Sequence, residues 1–335
     1  MAPRTASFCQ AAAFAAGSGL PAEDRCSTPS AAAPGQSLDP GQCSCEGCGE
    51  ALGARHAIDA AMRATGNLLI TVNATGCLGA FPAPNPEAST QLPWIHSLFG
   101  NAAAVATGVT AAQRIKGRVD VRVVAQGGDG GTADTGFGCL SGMFERNDDV
   151  LYICYDNEGC MSTGTQRSSA TPGAARTATT PALGKEPGNT FTTGKNLPRI
   201  AMAHRIPYVA TGSVADLPDL EQKVTYAMGL RGARYIHLHV PCPPGWGFAP
   251  ADTIRIARLA VESGLFPLYE AHDGRVTART LLRGPVPVDE YLRLQARFAH
   301  LFLNAASRER IAIIQEIADR NVAEFGLLAE GAAPG

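Results

Sequence analysis

Charge is scarce in this chain. Only 17% of its 335 residues are Asp, Glu, Lys or Arg, against roughly 25% in an ordinary soluble domain. The net charge is −2 and no stretch is basic, so the electrostatic footprint of a nucleic-acid partner or an anionic membrane surface is missing. Long apolar runs are missing too: none reaches the roughly 18 residues that a membrane-spanning helix needs. Behind Arg4, AAAFAAGSGL imitates a secretory leader but lacks its leucine-rich centre. The ten cysteines do not form the framework of a small secreted protein. The expected location is therefore cytoplasmic. Low charge combined with 37 Gly and 45% hydrophobic residues points to surface covered by partner chains, although an alanine-rich composition would produce part of that signal.

What the chain does have is one dense stretch, GGDGGTADTGFGCL at 127–140, with YDNEG following at 155–159. The Val-rich run 119–126 ahead of it reads as a buried parallel strand. Four glycines then surround Asp129, and a helix is expected from about Thr132. A strand, a glycine turn and a helix start bring bare backbone N–H groups to one place, where a phosphate can approach. A carboxylate beside a diphosphate repels it. A divalent cation between the two resolves the conflict, and Mg²⁺ suits hard oxygen ligands. A second strand, 149–155, ends at Asp156 and Asn157, whose amide oxygen can complete the metal shell.

The cysteines need a separate account. Cys45 and Cys48 form a C-x-x-C with Cys43 just ahead, and a helix is expected over 51–64. Zinc, a redox disulfide and an iron–sulfur cluster are all open to such a pair. Zinc usually brings a second close pair of ligands, whereas the later cysteines here stand singly at Cys77, Cys139, Cys154, Cys160 and Cys242. A cluster tolerates scattered ligands because its thiolates need only converge in space. Cys77 follows a strand at 68–73, and Cys242 follows one ending at Val240. Ligands of an open α/β sheet gather beyond the C-terminal ends of its strands, which puts Cys77, Asp129, Asn157 and Cys242 on one rim. Cys154 and Cys139 read as packing residues.

CEGCGEALGARHAIDAA, NATGC, SLFGNAAAVATG, QGGDGGTAD, YDNEGCMSTGTQRSSATP and PCPPGW occur in this order between residues 43 and 270. In that order they resemble the thiamine-diphosphate-binding β subunits of the 2-oxoacid:ferredoxin oxidoreductase family, of the pyruvate synthase type. The resemblance implies an α/β thiamine-diphosphate-binding fold, a mostly parallel sheet with helices on both faces. It implies an extended arm over 1–40, the binding domain over 41–285, and a helical tail over 286–335 packed on that domain or on a partner. By position it places a proximal [4Fe–4S] cluster on Cys45, Cys48, Cys77 and Cys242. Mg²⁺ falls on Asp129, Asn157 and the Gly159 carbonyl, and the diphosphate on Gly128, Gly130, Gly131 and Thr132. Ser162 and Asn101 fall on the substrate side. Many members of the family have Asn in place of Ser162, which leaves room here for a 2-oxoacid bulkier than pyruvate, such as phenylglyoxylate; oxalate is a third candidate.

The implied activity is oxidative decarboxylation with acylation of coenzyme A, by a complex and not by this chain alone. No Glu here fits by motif the residue that activates thiamine, so an α subunit is expected to supply it. A γ subunit and a ferredoxin-like δ subunit complete the expected complex, with ferredoxin or an NAD-reducing subunit as acceptor. A non-oxidative thiamine-dependent lyase and a zinc-stabilised assembly protein are the competing classes.

The remaining stretches read more plainly. The Thr/Pro/Gly-rich segment 168–197 is a lid or subunit contact, with Lys185 and Lys195 more solvated than paired. His204 is structural. His237 and His239 share one strand face as satisfied core or partner surface. Residues 291–328 form a helical tail with one apolar face, expected on a partner.

Overall fold

A computed structural model describes residues 37–38, 43–80, 90–181, 183, 187–191, 193–284, 286–303 and 308–328. The expected arm, apart from Ser37 and Leu38, lies outside the described residues together with Cys9, Cys26 and Lys185.

Eight strands form one sheet: β1 Leu69–Ala74, β2 Trp94–Ser97, β3 Arg122–Gly128, β4 Val150–Asp156, β5 Tyr208–Ser213, β6 Arg234–His239, β7 Tyr269–His272 and β8 Arg275–Arg279. Their order is β2-β1-β3-β4-β6-β5-β7-β8. The first six are parallel, and β7 and β8 add antiparallel at one edge. The edge pair is a hairpin turned by Asp273 and Gly274, both at positive φ, as a D-G pair between two strands predicts.

The longer helices are α1 Gly49–Thr65, α2 Ala102–Ile115, α3 Phe137–Glu145, α4 Leu197–Ala203, α5 Leu217–Gly229, α6 Thr253–Glu262, α7 Val288–Arg293 and α8 Arg308–Phe325. They cover both faces of the sheet, and β4 shows why its sequence is a continuous apolar run. Leu151, Ile153 and Tyr155 pack toward α1 and α5, while Val150, Tyr152 and Cys154 pack toward α2, α3 and α4. A strand buried on both sides has no polar face to show. Cys154 and the half-buried Cys139 are packing residues, as expected.

Three expectations need correction. β3 starts at Arg122 and runs to Gly128, leaving Val119 exposed. The element after the glycine turn is first a wide π-type turn, Gly130–Thr135, closed by Gly136 N–H to Gly131 O at 2.8 Å; α3 begins only at Phe137. The tail is not one helix. It breaks after α7 at an extended Gln295, whose Nε2–H donates to the Tyr291 carbonyl and whose Oε1 accepts from Arg297 Nε. Nor does the tail wait for a partner: Tyr291, Phe298, Leu301 and Ile314 bury against Trp246, Ile256 and Leu259 of the body. Among the described residues no helix is long and apolar enough to cross a membrane.

At the N-terminal ends of the central strands, Asp149 gathers three guanidinium groups. It accepts from Arg231 at 2.9 Å, from Arg122 at 3.4 Å and from Arg234, which is fully buried. Removing the carboxylate strands a buried cation. Asp149→Ala should therefore lose about 3–5 kcal/mol of stability, read by denaturant unfolding; a loss below about 1 kcal/mol, the range of an exposed ion pair, would contradict this.

Candidate functional site

β1 lies between β2 and β3, so the chain changes its direction of travel across the sheet there, and a crevice opens at the C-terminal strand ends. The predicted site residues arrive at this rim from β1, β3, β4 and β6. Asp129 follows β3 and is completely buried. Its Oδ2 accepts from Ser168, at the start of the Thr/Pro/Gly-rich segment, while Oδ1 has no hydrogen-bond partner. Asn157 follows β4, is 4% exposed, and its Nδ2–H donates to Glu50 at 2.7 Å. Its Oδ1 is likewise buried without a partner. Two orphaned oxygens, one acid and one amide, fit a hard cation.

Glu50 was not legible as a site residue. It lies in the first turn of α1, two residues after Cys48, and is 3% exposed. Burial, opposed by the Asn157 and Leu78 hydrogen bonds, raises its pKa from 4.5 to about 7. Asp129 is raised well above 3.8, first by burial, then by the neighbouring Asp156. Glu158 is raised to about 7 by burial, with Arg297 opposing. Arg297 binds Glu158 directly, and His237 meets Asp156 at 2.8 Å. Among the described residues neither Asp129 nor Glu50 has an ion-pair partner. The rim therefore holds more buried negative charge than its own cations neutralise.

The glycines serve approach. A Cβ on Gly131 would lie 2.6 Å from the Phe99 carbonyl oxygen, and one on Gly130 would lie 2.5 Å from Cys160 Sγ. Gly128 instead faces nearly open space, with Tyr155 O at 4.0 Å as the only neighbour a Cβ would meet. Thr132, expected on the diphosphate, turns its hydroxyl inward: Oγ1 donates to the Gly128 carbonyl at 2.7 Å and meets Tyr152 OH at 3.0 Å. It holds the turn from behind. Asn101 precedes α2 and Ser162 sits in a single helical turn, Met161–Thr163; both are exposed.

The C-x-x-C opens α1, with Cys48 Sγ accepting from Ala51 N–H at 3.4 Å. Gly49 N–H donates to the Pro241 carbonyl at 3.1 Å, and a Cβ there would lie 2.7 Å from that oxygen. Only glycine lets α1 approach the end of β6 so closely, next to Cys242. The Cys77 thiol is pushed up by burial, then by Glu50, Cys242, Cys48 and Cys45. The Cys242 thiol, raised to about 11, is pushed up by burial, then by Glu50 and Cys45. Cys77 thus lies within electrostatic reach of the other three thiols. Among the described residues no three His, Cys, Asp or Glu close on a single metal ion, and Cys45, Cys48, Cys77 and Cys242 are in no disulfide. A shallow groove of about 330 Å³ runs over Cys45 and Cys48 beside Arg55 and Ile254.

Other expectations resolve simply. His204 meets Ser141 Oγ at 3.1 Å, and Lys195, though exposed, is also paired, reaching the Ala133 carbonyl at 2.7 Å and Asp134 at 3.3 Å. His237 is satisfied by Tyr235 and Asp156. His239, 1% exposed, has no hydrogen-bond partner on either ring nitrogen. It lines a cavity of about 470 Å³ that neither Asp129 nor the four predicted cluster cysteines line.

Residues 74–238 match the family described as thiamine pyrophosphate enzyme, C-terminal TPP binding domain. Pyruvate synthase subunit PorB of Methanosarcina barkeri is 48% identical over 88% of this chain and 98% of its own length. Ketoisovalerate oxidoreductase subunit VorB of Pyrococcus abyssi is 40% identical over 82% of this chain and 88% of its own. A solved 2-oxoglutarate:ferredoxin oxidoreductase from Magnetococcus marinus shares the fold, with TM-score 0.54 and 24% identity over 62% of this chain and 67% of that one.

The excess buried acid has a consequence for stability. Folding favours the protonated form of Glu50, so its contribution is largest below its unfolded value of 4.5 and is lost as pH rises toward about 7; Asp129 acts in the same direction. Protein stripped of divalent metal should therefore melt at a lower temperature at pH 8 than at pH 5.5, and Mg²⁺ with thiamine diphosphate should reduce that difference. A melting temperature that rises over this window without metal would contradict the charge account.

Proposed function

The chain belongs to the thiamine-diphosphate-binding β subunits of the 2-oxoacid:ferredoxin oxidoreductase family, of the pyruvate synthase type, and on that premise we propose that it holds Mg²⁺·thiamine diphosphate and a proximal [4Fe–4S] cluster. The complex converts a 2-oxoacid and coenzyme A into acyl-coenzyme A and carbon dioxide, releasing a pair of electrons and a proton. The observation that carries the reading is the pair of buried, partnerless oxygens, Asp129 Oδ1 and Asn157 Oδ1.

In this reading Asp129, Asn157 and the Gly159 carbonyl hold Mg²⁺, while Gly128, Gly130, Gly131 and Thr132 offer backbone N–H groups to the diphosphate. Cys45, Cys48, Cys77 and Cys242 hold the cluster. Thiamine diphosphate supplies the carbon nucleophile and electron sink for decarboxylation, and the cluster supplies one-electron acceptance. Glu50 orients the metal ligand: by taking the Asn157 Nδ2–H it leaves Oδ1 as the face toward the cation. Ser168 holds Asp129 in the same way. The exposed Cys45 and the groove beside it give electrons a short way out.

The rest of the site is left to partners. Leu98 is 73% exposed and Phe99 37% exposed on the loop that presses against the glycine turn, which suits an α subunit arriving there with the thiamine-activating Glu. A γ subunit and a ferredoxin-like δ subunit complete the complex, with ferredoxin or an NAD-reducing subunit as acceptor. Pyruvate is the proposed substrate. The short, exposed Ser162 and the similarity to a ketoisovalerate oxidoreductase subunit favour a bulkier 2-oxoacid as the second reading.

The purified complex should reduce a viologen dye with pyruvate and coenzyme A, and its thiamine diphosphate affinity should require Mg²⁺. Asp129→Asn should weaken that affinity on the order of a hundredfold, since losing a charged partner costs about 3 kcal/mol. Unchanged binding, read by calorimetry, would remove Asp129 from the metal site.

A further inference from the structure

Two turns that carry different cofactors in the reading above are joined by one indole. Trp246 is fully buried, and its Nε1–H donates to the Asn157 backbone carbonyl at 2.7 Å. It closes the helical turn Pro243–Trp246, which starts directly after Cys242. Met161 fills the space between the same two turns: a Cβ on Gly245 would lie 2.3 Å from its Sδ, and one on Gly159 would lie 3.0 Å from its Cε. From the tail, the Arg297 guanidinium lies 3.8 Å from the centre of the Trp246 ring and binds Glu158, the residue between Asn157 and Gly159. Asn157 thus meets both cysteine-bearing segments, α1 through Glu50 and the Cys242 turn through Trp246.

We propose that Trp246 is a positioning residue that couples the two cofactor sites, so that the redox state of the cluster at Cys242 and the affinity for Mg²⁺·thiamine diphosphate at Asn157 depend on each other. This rests on the function proposed above. The physical basis is dense packing. A turn with no free space beside it cannot shift when the charge on its thiolate changes unless the turn bonded to it shifts too. Such coupling is reciprocal: whatever factor reduction applies to cofactor affinity, cofactor binding applies to reduction.

The test is thiamine diphosphate affinity, measured calorimetrically with Mg²⁺ on the whole anaerobic complex, once oxidised and once reduced by dithionite, with cluster state followed by electron paramagnetic resonance. In the parent complex the two affinities should differ by about fivefold or more. Trp246→Phe keeps an aromatic ring beneath Arg297 but removes the N–H donor together with part of the indole's volume. It should retain iron and thiamine binding while the ratio falls toward one. If that variant does not assemble, Met161→Ala, which empties the space between the Gly159 and Gly245 turns without touching a cysteine, should produce the same collapse. A merely structural tryptophan would weaken both affinities equally and leave the ratio intact, which would overturn the proposal, as would a parent ratio of one. A parent complex without iron or without thiamine binding would overturn the function proposed above, and this inference with it.

Discussion

Unneutralised negative charge buried at the ends of the central strands is the constraint on which the rest of this structure depends. Asp129, Glu50 and Asp156 are each less than 8% exposed at one rim, and ionised carboxylates in such a place cost several kcal/mol each unless they are paired. The fold pairs one of the rim acids with a cation itself, Glu158 with Arg297, and gives Asp156 a hydrogen-bond partner in His237. It leaves Asp129 and Glu50 unneutralised, with their raised pKa values, and leaves Asp129 Oδ1 without a partner. Such acids are kept neutral by a proton or are completed by a cation, and the oxygen chemistry of the orphaned atoms suits Mg²⁺.

The parallel sheet is what assembles that charge. Each strand delivers its following residues to the same edge, so Cys77, Asp129, Asn157 and Cys242, far apart in sequence, become neighbours. α1 then brings Cys48 and Glu50 over the end of β6 through the close approach at Gly49. The C-terminal tail completes the packing from outside by sending Arg297 between Trp246 and Glu158. The tail packs on the body and, through Arg297, on the joint between the Asn157 and Cys242 turns.

Much of this was legible in the sequence where a local rule applied. Apolar runs ending in glycine or acid marked β3 and β4, and the D-G turn marked the β7–β8 hairpin. Asp129 and Asn157, each following an apolar strand, were singled out together, and both carry a buried oxygen without a partner. What escaped was convergence without a local signal. Glu50 looks like any acid in a first helical turn, and its burial comes from β4 folding over it. Ser168 and Arg297 reach the rim from the Thr/Pro/Gly-rich segment and the tail, whose paths no periodicity records. The break in the tail is set by a glutamine side chain capping its own helix end, which an apolar stripe running through 291–328 conceals. The Thr132 hydroxyl is engaged inside the turn by Gly128 and Tyr152, which leaves only its backbone N–H for a ligand.

The central claim is that one rim holds both an oxygen-ligated metal and a thiolate-ligated cluster. Iron and acid-labile sulfide content of the anaerobically purified complex, with a Cys45→Ser variant beside it, tests that claim most directly. The account predicts that the parent carries about four irons more per copy of this chain than the variant. Zinc in their place, or an iron content that the variant leaves unchanged, would contradict it and leave a thiamine-dependent lyase without electron transfer.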